Sequence, residues 1–367
     1  MTTRTQRLHD AGVSIWLDTL SRELLESGEF ERLLRDFAVS GATSNPTIFA
    51  KAITSSDRYD QQVRAAVGTG IVDPQELFFL LALDDVRRAA DLLRAEGTDG
   101  FVSFECTPDR AYDSEGTIEQ AMELWRRLDR DNVMIKVPAT PAGIPAIEEL
   151  TSRGVNVNVT LLFSLERYKQ VIDAYLTGLE RRAARREPVS GIASVASFFV
   201  SRVDAKADRR LPADSPVRGR IAVANAARAY DLWRERFAGP RWQRLEHLGA
   251  RPQRPLWAST GTKDPAYSDV LYVDELIAPG VVNTMPMSTL EAFADHGAAE
   301  ATLPAAGAGG VLDAAAAAGL DLAALTAELE HEGIEAFRAS YRELLDCLDS
   351  KASRMELATS ATGTGGT

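Results

Sequence analysis

Lys136 is the residue whose setting most asks for a chemical role. It lies in Asn132-Val133-Met134-Ile135-Lys136-Val137-Pro138-Ala139-Thr140, an apolar run closed by a proline, which reads as a buried strand. Strand alternation places Val133, Ile135 and Val137 on one face, with Met134 and Lys136 on the other. An ammonium without a partner is costly to bury, whereas a neutral amine in a shielded pocket can attack a carbonyl and form a Schiff base. The alternative is a lysine that snorkels its head to water from the strand end. Lysine usage favours the first reading. The lysines are Lys51, Lys136, Lys169, Lys206, Lys263 and Lys351, and arginine supplies nearly all other positive charge. An amine inside an apolar strand, in a chain that defaults to arginine, is one that can lose its proton.

A Schiff-base lysine needs an acid/base group, a route for water, and hydrogen bonds to substrate hydroxyls. Asp18 and Glu105 are the available carboxylates, each at the end of a strand-like run. An ion pair of either with Arg202 or Lys263 is the competing explanation. Arg202 and Lys263 follow the sixth and seventh strands, where barrels place late loops suited to phosphate, or else they are ordinary surface charge.

Short strand-like runs alternate with longer helical ones. The strands are 13–18, 39–45, 100–107, 132–140, 155–163, 192–200, 255–261 and 280–286. The helices fill 19–37, 46–67, 74–95, 117–130, 144–153, 165–182, 218–237 and 269–277. Asp73-Pro74 with Glu76, and Ser164 with Glu166, are helix starts, and Gly97 and Gly154 stand where C-terminal caps belong. Eight strands alternating with helices predict a single (β/α)8 TIM barrel of the α/β class, with a doubly wound sheet as the alternative; no GxGxxG follows the first strand. Each strand ends in polar residues: Asp18, Asn45, Glu105, Lys136, Asn158 with Thr160, Ser197, Ser259 and Asn283. One such residue is ordinary capping, but eight in turn predict a shared mouth. Residues from about 203 to 254 form an inserted helical segment, and Leu322, Leu325, Leu329, Ile334, Phe337, Tyr341 and Leu345 mark a C-terminal helix over about 321–351. Ala298 to Leu320 reads as a small-residue connection, and the low-complexity tail 357–367 as disordered.

The chain has 367 residues, a net charge of −12 and a pI near 5.0, which argues against nucleic acid or an anionic membrane as partner. An anionic substrate must therefore be held by local cations against the overall field. Cys106 and Cys347 have no CxxC spacing, and His9, His247, His296 and His331 form no ligand pair; neither a zinc cage nor any other metal is expected. With no apolar leader and no run of membrane length, the expected location is the cytoplasm. A homo-oligomer is left open. The arginine-rich run 181–186 reads as a solvated helix end.

Three stretches carry a resemblance to the transaldolase family. Thr43-Ser44-Asn45-Pro46-Thr47 is similar to its asparagine-proline signature, Ile135-Lys136-Val137-Pro138-Ala139-Thr140-Pro141-Ala142-Gly143-Ile144 to its active-site lysine signature, and Asn156-Val157-Asn158-Val159-Thr160-Leu161-Leu162-Phe163-Ser164 to its fifth-strand motif. The match runs from about Gly12 to Gly297, and the long insertion resembles the longer bacterial members; residues 1–356 would be one barrel domain. The resemblance implies a transferase of the pentose phosphate pathway, needing no cofactor, with small-molecule sugar phosphates as partners. It moves a dihydroxyacetone unit from sedoheptulose 7-phosphate or fructose 6-phosphate to glyceraldehyde 3-phosphate or erythrose 4-phosphate. It also implies Lys136 as the imine former, Asp18 as the base at the C4 hydroxyl, and Glu105 with Thr160 holding a water. Asn45, Asn158 and Ser197 would bind the three-carbon piece, and Arg202, Ser259 and Lys263 the phosphate. Related single-substrate aldolases carry a tyrosine where this chain has Phe199. Shorter members have arginine two residues after the serine of the seventh-strand loop, where this chain has Gly261, so the phosphate role passes to Lys263. The rival readings are a Schiff-base aldolase for a phosphorylated sugar, a non-catalytic sugar-phosphate-binding barrel, and a pyridoxal-phosphate enzyme, for which no glycine-rich phosphate cup is seen.

Overall fold

The computed structural model describes residues 2–363 apart from 99 and 306, and for 358–363 the backbone alone. Its centre is a closed parallel barrel: β1 (Ser14–Leu17), β2 (Val39–Thr43), β3 (Val102–Glu105), β4 (Val133–Pro138), β5 (Val157–Leu162), β6 (Ser194–Phe199), β7 (Arg254–Ala258) and β8 (Val282–Met285), with β8 returning to β1. Every strand expected from the sequence is present, generally trimmed at its ends, and closure removes the doubly wound alternative. Strands β4, β5 and β6 are buried along their whole length because helices cover one face and the other fills the barrel.

Around the barrel run α1 (Arg4–Asp10), α2 (Arg22–Glu26), α3 (Glu29–Asp36), α4 (Pro46–Thr54), α5 (Asp60–Gly68), α6 (Pro74–Ala95), α7 (Ser114–Leu128), α8 (Gly143–Arg153) and α9 (Leu165–Ala184). The insertion between β6 and β7 is α10 (Ser201–Ala207), α11 (Ile221–Arg236) and α12 (Pro240–Glu246). After β7 come α13 (Leu271–Asp274), α14 (Met287–His296), α15 (Ala308–Ala317) and α16 (Leu322–Gly363). The expected caps form: Asp73 and Ser164 side chains accept from the backbone N–H groups of Glu76 and Arg167, and Gly97 and Gly154 take left-handed conformations after α6 and α8.

Several expectations need correction. The helix read over 19–37 is broken into α2 and α3 at Gly28, whose φ of 78° no helix interior tolerates. The one over 46–67 breaks at Ser55, and Ser56 caps a separate short turn. The stretch 269–277 holds only one helical turn. The alanine-rich connection contains α15, in keeping with alanine's helix preference, and its buried Ala308 and Ala315 lie on a helix packed against α11. The arginine run is the exposed end of α9, as expected, and it also carries ion pairs: Arg181 with Glu148 and Glu149, Arg182 and Arg185 with Glu187. Helix α16 extends past the expected end and packs along α4, α5 and α6. It enters the stretch read as a tail, of which 364–367 lie outside the described residues.

The barrel interior is built in layers beneath the mouth. Arg254 closes the lower end, donating to Gly280 O, Val281 O and Ser14 Oγ. Higher up, the Trp16 indole fills the space that Gly41 leaves; a Cβ on Gly41 would sit 2.6 Å from it. Ser103, Asn158 and Ser197 then form a hydrogen-bonded row across the barrel, 2.9 and 2.7 Å long. This row is the floor of the site. Gly41→Ala should cost about 1–3 kcal/mol of stability by denaturant unfolding, because Trp16 has nowhere to retreat; an unchanged midpoint would mean the indole moves freely.

Candidate active site

Lys136 stands opposite Glu105 because β3 and β4 pair in parallel with these two residues in register, both facing inward. Lys136 is 5% exposed; its Nζ donates to Ser44 O at 2.9 Å and lies 3.2 Å from Glu105 Oε2. The amine is sheltered, as expected, but it has a carboxylate partner rather than none. Burial pushes the Glu105 carboxyl above its ordinary value against the opposing pull of the Lys136 charge.

Asp18 follows β1, and its backbone N–H donates to Met285 O at 2.7 Å. Its carboxyl accepts from Thr43 Oγ1 at 2.8 Å, and Thr43 in turn lies 2.8 Å from Thr284 Oγ1. Since Thr43 has one hydroxyl proton and gives it to Asp18, Thr284 must be the donor to Thr43. Burial raises Asp18 as well, opposed by Lys136, the Thr43 hydrogen bond, Arg202 and Lys263. Neither Asp18 nor Glu105 forms an ion pair with Arg202 or Lys263 among the described residues.

Thr160 on β5 is fully buried, lines the cavity, and its Oγ1 has no hydrogen-bond partner among the described residues. An orphan hydroxyl costs stability unless something fills its valence, here a water or substrate atom. Asn45 caps α4 through Oδ1, which accepts from Ile48 N at 3.0 Å, and its Nδ2 is left for the cavity. Ser197 lines the cavity, whereas Asn158 sits in the row beneath it. Asn283 does not reach the mouth. Its register partners Ile15 and Trp257 face outward, and β8 offers Thr284 instead.

The rim is cationic. Arg202 opens α10 and lies over the Phe199 ring, 5.2 Å from its centroid, with Phe163 packed on the same ring. Ser259 Oγ meets Ser201 Oγ at 2.9 Å, which ties the loop after β7 to the start of α10. Lys263 lines the cavity from that loop, beside Gly261. Neither Arg202 nor Lys263 has an ion-pair partner among the described residues. Asp18, Asn45, Lys136, Thr160, Ser197, Phe199, Arg202, Ser259 and Lys263 line one cavity, Glu105 and Asn158 stand just behind its wall, and Asn283 stays outside it. The sequence reading missed Thr43, Thr284, Pro286 and Phe337. Thr43 lay within a motif already singled out, and Thr284 was one residue from the position chosen. Phe337 comes from α16, and no local signal points it at the barrel mouth.

The cavity holds about 170 Å³. A larger one of about 260 Å³ lies between α11 and α15, but Val223, Ala224, Ala308 and Val311 dominate it and it holds no buried titratable group. Among the described residues no cluster of His, Cys, Asp and Glu could hold a metal ion, and no single helix is long and apolar enough to cross a membrane.

A closed (β/α)8 barrel with a buried lysine–glutamate pair at the C-terminal ends of its strands defines an enzyme site of the barrel type. A family model described as transaldolase/fructose-6-phosphate aldolase matches residues 15–348, and the chain belongs to that family of enzymes. A protein of Saccharopolyspora erythraea named transaldolase is 50% identical over 358 residues, covering 94% of this chain and 97% of the relative. Transaldolases of Acidothermus cellulolyticus and Thermobifida fusca are 50% and 48% identical, covering 94% and 93% of this chain and 95% and 96% of the relatives.

The Thr43 hydroxyl favours the ionised form of Asp18, and its removal leaves burial less opposed. For Thr43→Val, any turnover that needs ionised Asp18 should lose activity at higher pH than in the wild type. Loss of a hydrogen bond to the charged carboxylate should move the acid limb of kcat/KM up by about one pH unit; superimposable profiles would remove Asp18 from the rate.

Proposed function

We propose that this enzyme is a transaldolase that moves a dihydroxyacetone unit from fructose 6-phosphate or sedoheptulose 7-phosphate to an aldose phosphate, as in the pentose phosphate pathway. The observation that carries this reading is the sheltered Lys136 amine 3.2 Å from Glu105, with Asp18 and the unpartnered Thr160 hydroxyl in the same cavity.

In this reading Lys136 gives a proton to Glu105, whose burial suits it to hold one, and its free amine attacks the C2 carbonyl of the ketose. Glu105 protonates the carbinolamine hydroxyl through a water held with Thr160; water leaves and a protonated imine remains. Asp18 takes the C4 hydroxyl proton, the C3–C4 electron pair flows into the imine, and an aldose phosphate departs from an enamine on Lys136. The enamine carbon attacks the aldehyde of a second aldose phosphate, Asp18 returns its proton to the new alkoxide, and water hydrolyses the imine along the reverse path. Asn45 and Ser197 would hold the three-carbon hydroxyls directly, with Asn158 behind them. Arg202, Ser259 and Lys263 would take the phosphate. The protonated imine is the electron sink, so the cycle calls for no cofactor.

Borohydride reduction in the presence of fructose 6-phosphate should leave a three-carbon adduct on Lys136 in peptide mass analysis. A cofactor-sized adduct, or none, would overturn the reading. Phe199 offers no hydroxyl to protonate the enamine, and this favours transfer over hydrolytic release. Phe199→Tyr should therefore raise aldolase cleavage of fructose 6-phosphate severalfold at the expense of transfer; equal cleavage rates in both variants would deny Phe199 that role.

A further inference from the structure

Beside the cavity, on the far side of Lys263, lies a second one of about 500 Å³ whose groups are unusually well matched. Asp204 on α10 and Asp208, its C-cap, are four residues apart and share a helix face. Each takes one backbone N–H from the start of α11 and one tyrosyl hydroxyl from the connection between β7 and β8. Asp204 accepts from Ala222 N at 2.8 Å and from Tyr272 OH at 3.0 Å. Asp208 accepts from Gly219 N at 3.1 Å and from Tyr267 OH at 2.9 Å. Gly219, at a φ of 67°, also makes room for the Tyr267 ring; a Cβ there would lie 2.6 Å from Cζ. Beyond the Ser201–Ser259 contact, the inserted segment and the connection after β7 are thus fastened together twice more.

The nearer fastening bears on the site. Lys263 is four residues before Tyr267 in a loop that closes on itself. Thr262 Oγ1 donates to Ser268 O at 2.7 Å, Ala266 N to Asp264 Oδ1 at 2.9 Å, and Tyr267 N to Asp264 O at 3.1 Å. The loop therefore moves as a unit, and the Tyr267 hydroxyl ties that unit to α10, whose first turn carries Arg202. The tyrosyl hydroxyl also occupies a carboxylate oxygen that shares a cavity with Lys263 and would otherwise attract its ammonium.

We propose that Tyr267, through its hydrogen bond to Asp208, is a positioning residue that holds Lys263 beside Arg202 and so sets the affinity for the phosphate group of the substrate. The identity of that substrate rests on the transaldolase reading; the phosphate dependence can be measured apart from it. In the full-length chain, Tyr267→Phe should raise KM for erythrose 4-phosphate about tenfold while leaving kcat, and KM for unphosphorylated erythrose, within twofold of wild type. In a Lys263→Ala background the same substitution should add less than twofold, because the tyrosine acts through the lysine. Calorimetric titration with inorganic phosphate should show the same pattern, about tenfold weaker in Tyr267→Phe and no further loss in the double variant. Equal effects on both acceptors, an undiminished effect without Lys263, or no phosphate binding by the wild type would each overturn the proposal. A wild type that binds phosphate but transfers nothing would fail the transaldolase reading and leave the titration to decide the role of Tyr267.

Discussion

The burial of Lys136 against Glu105 is the constraint from which the rest of the mouth follows. Two ions removed from water recover their lost hydration only with good geometry and further hydrogen bonds, and a buried pair is in general weak support for stability. The pair here has one such bond, from Nζ to the Ser44 carbonyl, and its carboxylate is held at a raised proton affinity by the same burial. An arrangement that costs folding energy and leaves a proton easily passed between amine and acid suits chemistry better than scaffolding. Asp18 extends the pattern. It is half-buried at the cavity, and a relay of two threonine hydroxyls, from Thr284 through Thr43, keeps it an acceptor. The two carboxylates stand on β1 and β3 and differ in their partners, so they can titrate in separate roles although both are pushed the same way.

This geometry depends on register more than on the individual residues. Glu105 faces Lys136, Lys136 faces Asn158, and Pro138 faces Thr160 because three successive parallel strands pair at those positions. A slip of one residue would send the whole set into the helical layer. The interior beneath fixes the register by filling every level with matched groups: Arg254 against backbone carbonyls, Trp16 against the gap at Gly41, and the Ser103–Asn158–Ser197 row.

The sequence was most legible where one residue's character settles its surroundings. A lysine in an apolar strand, and polar residues closing strand after strand, identified the barrel and most of its mouth. It was less legible where a choice between neighbours turned on register. Asn283 and Thr284 are both polar and adjacent, and only the pairing of β8 with β1 and β7 turns the threonine inward. Phe337 lay beyond reach for another reason. A helical stripe shows that α16 packs against something, but its path over the mouth is set by Gly333, which lets the helix approach Leu161 closely.

The electrostatics of the rim are a matter of what the cations avoid. Several arginines are taken up by carboxylates: the buried Arg22 by Asp85, and nearer the surface Arg130 by Asp91 and Arg241 by Glu180 and Asp173. Two acids that share the neighbouring cavity with Lys263 are already satisfied. Asp204 and Asp208 spend their oxygens on backbone N–H groups and tyrosyl hydroxyls, and burial holds the Asp204 carboxyl up at about 6, so that part of its charge is withdrawn near neutral pH. The insertion between β6 and β7 thereby acquires a physical purpose. It supplies carboxylates that anchor a cationic loop without neutralising it, and an acidic protein can then present positive charge at the rim of the cavity, as the proposed phosphate role calls for.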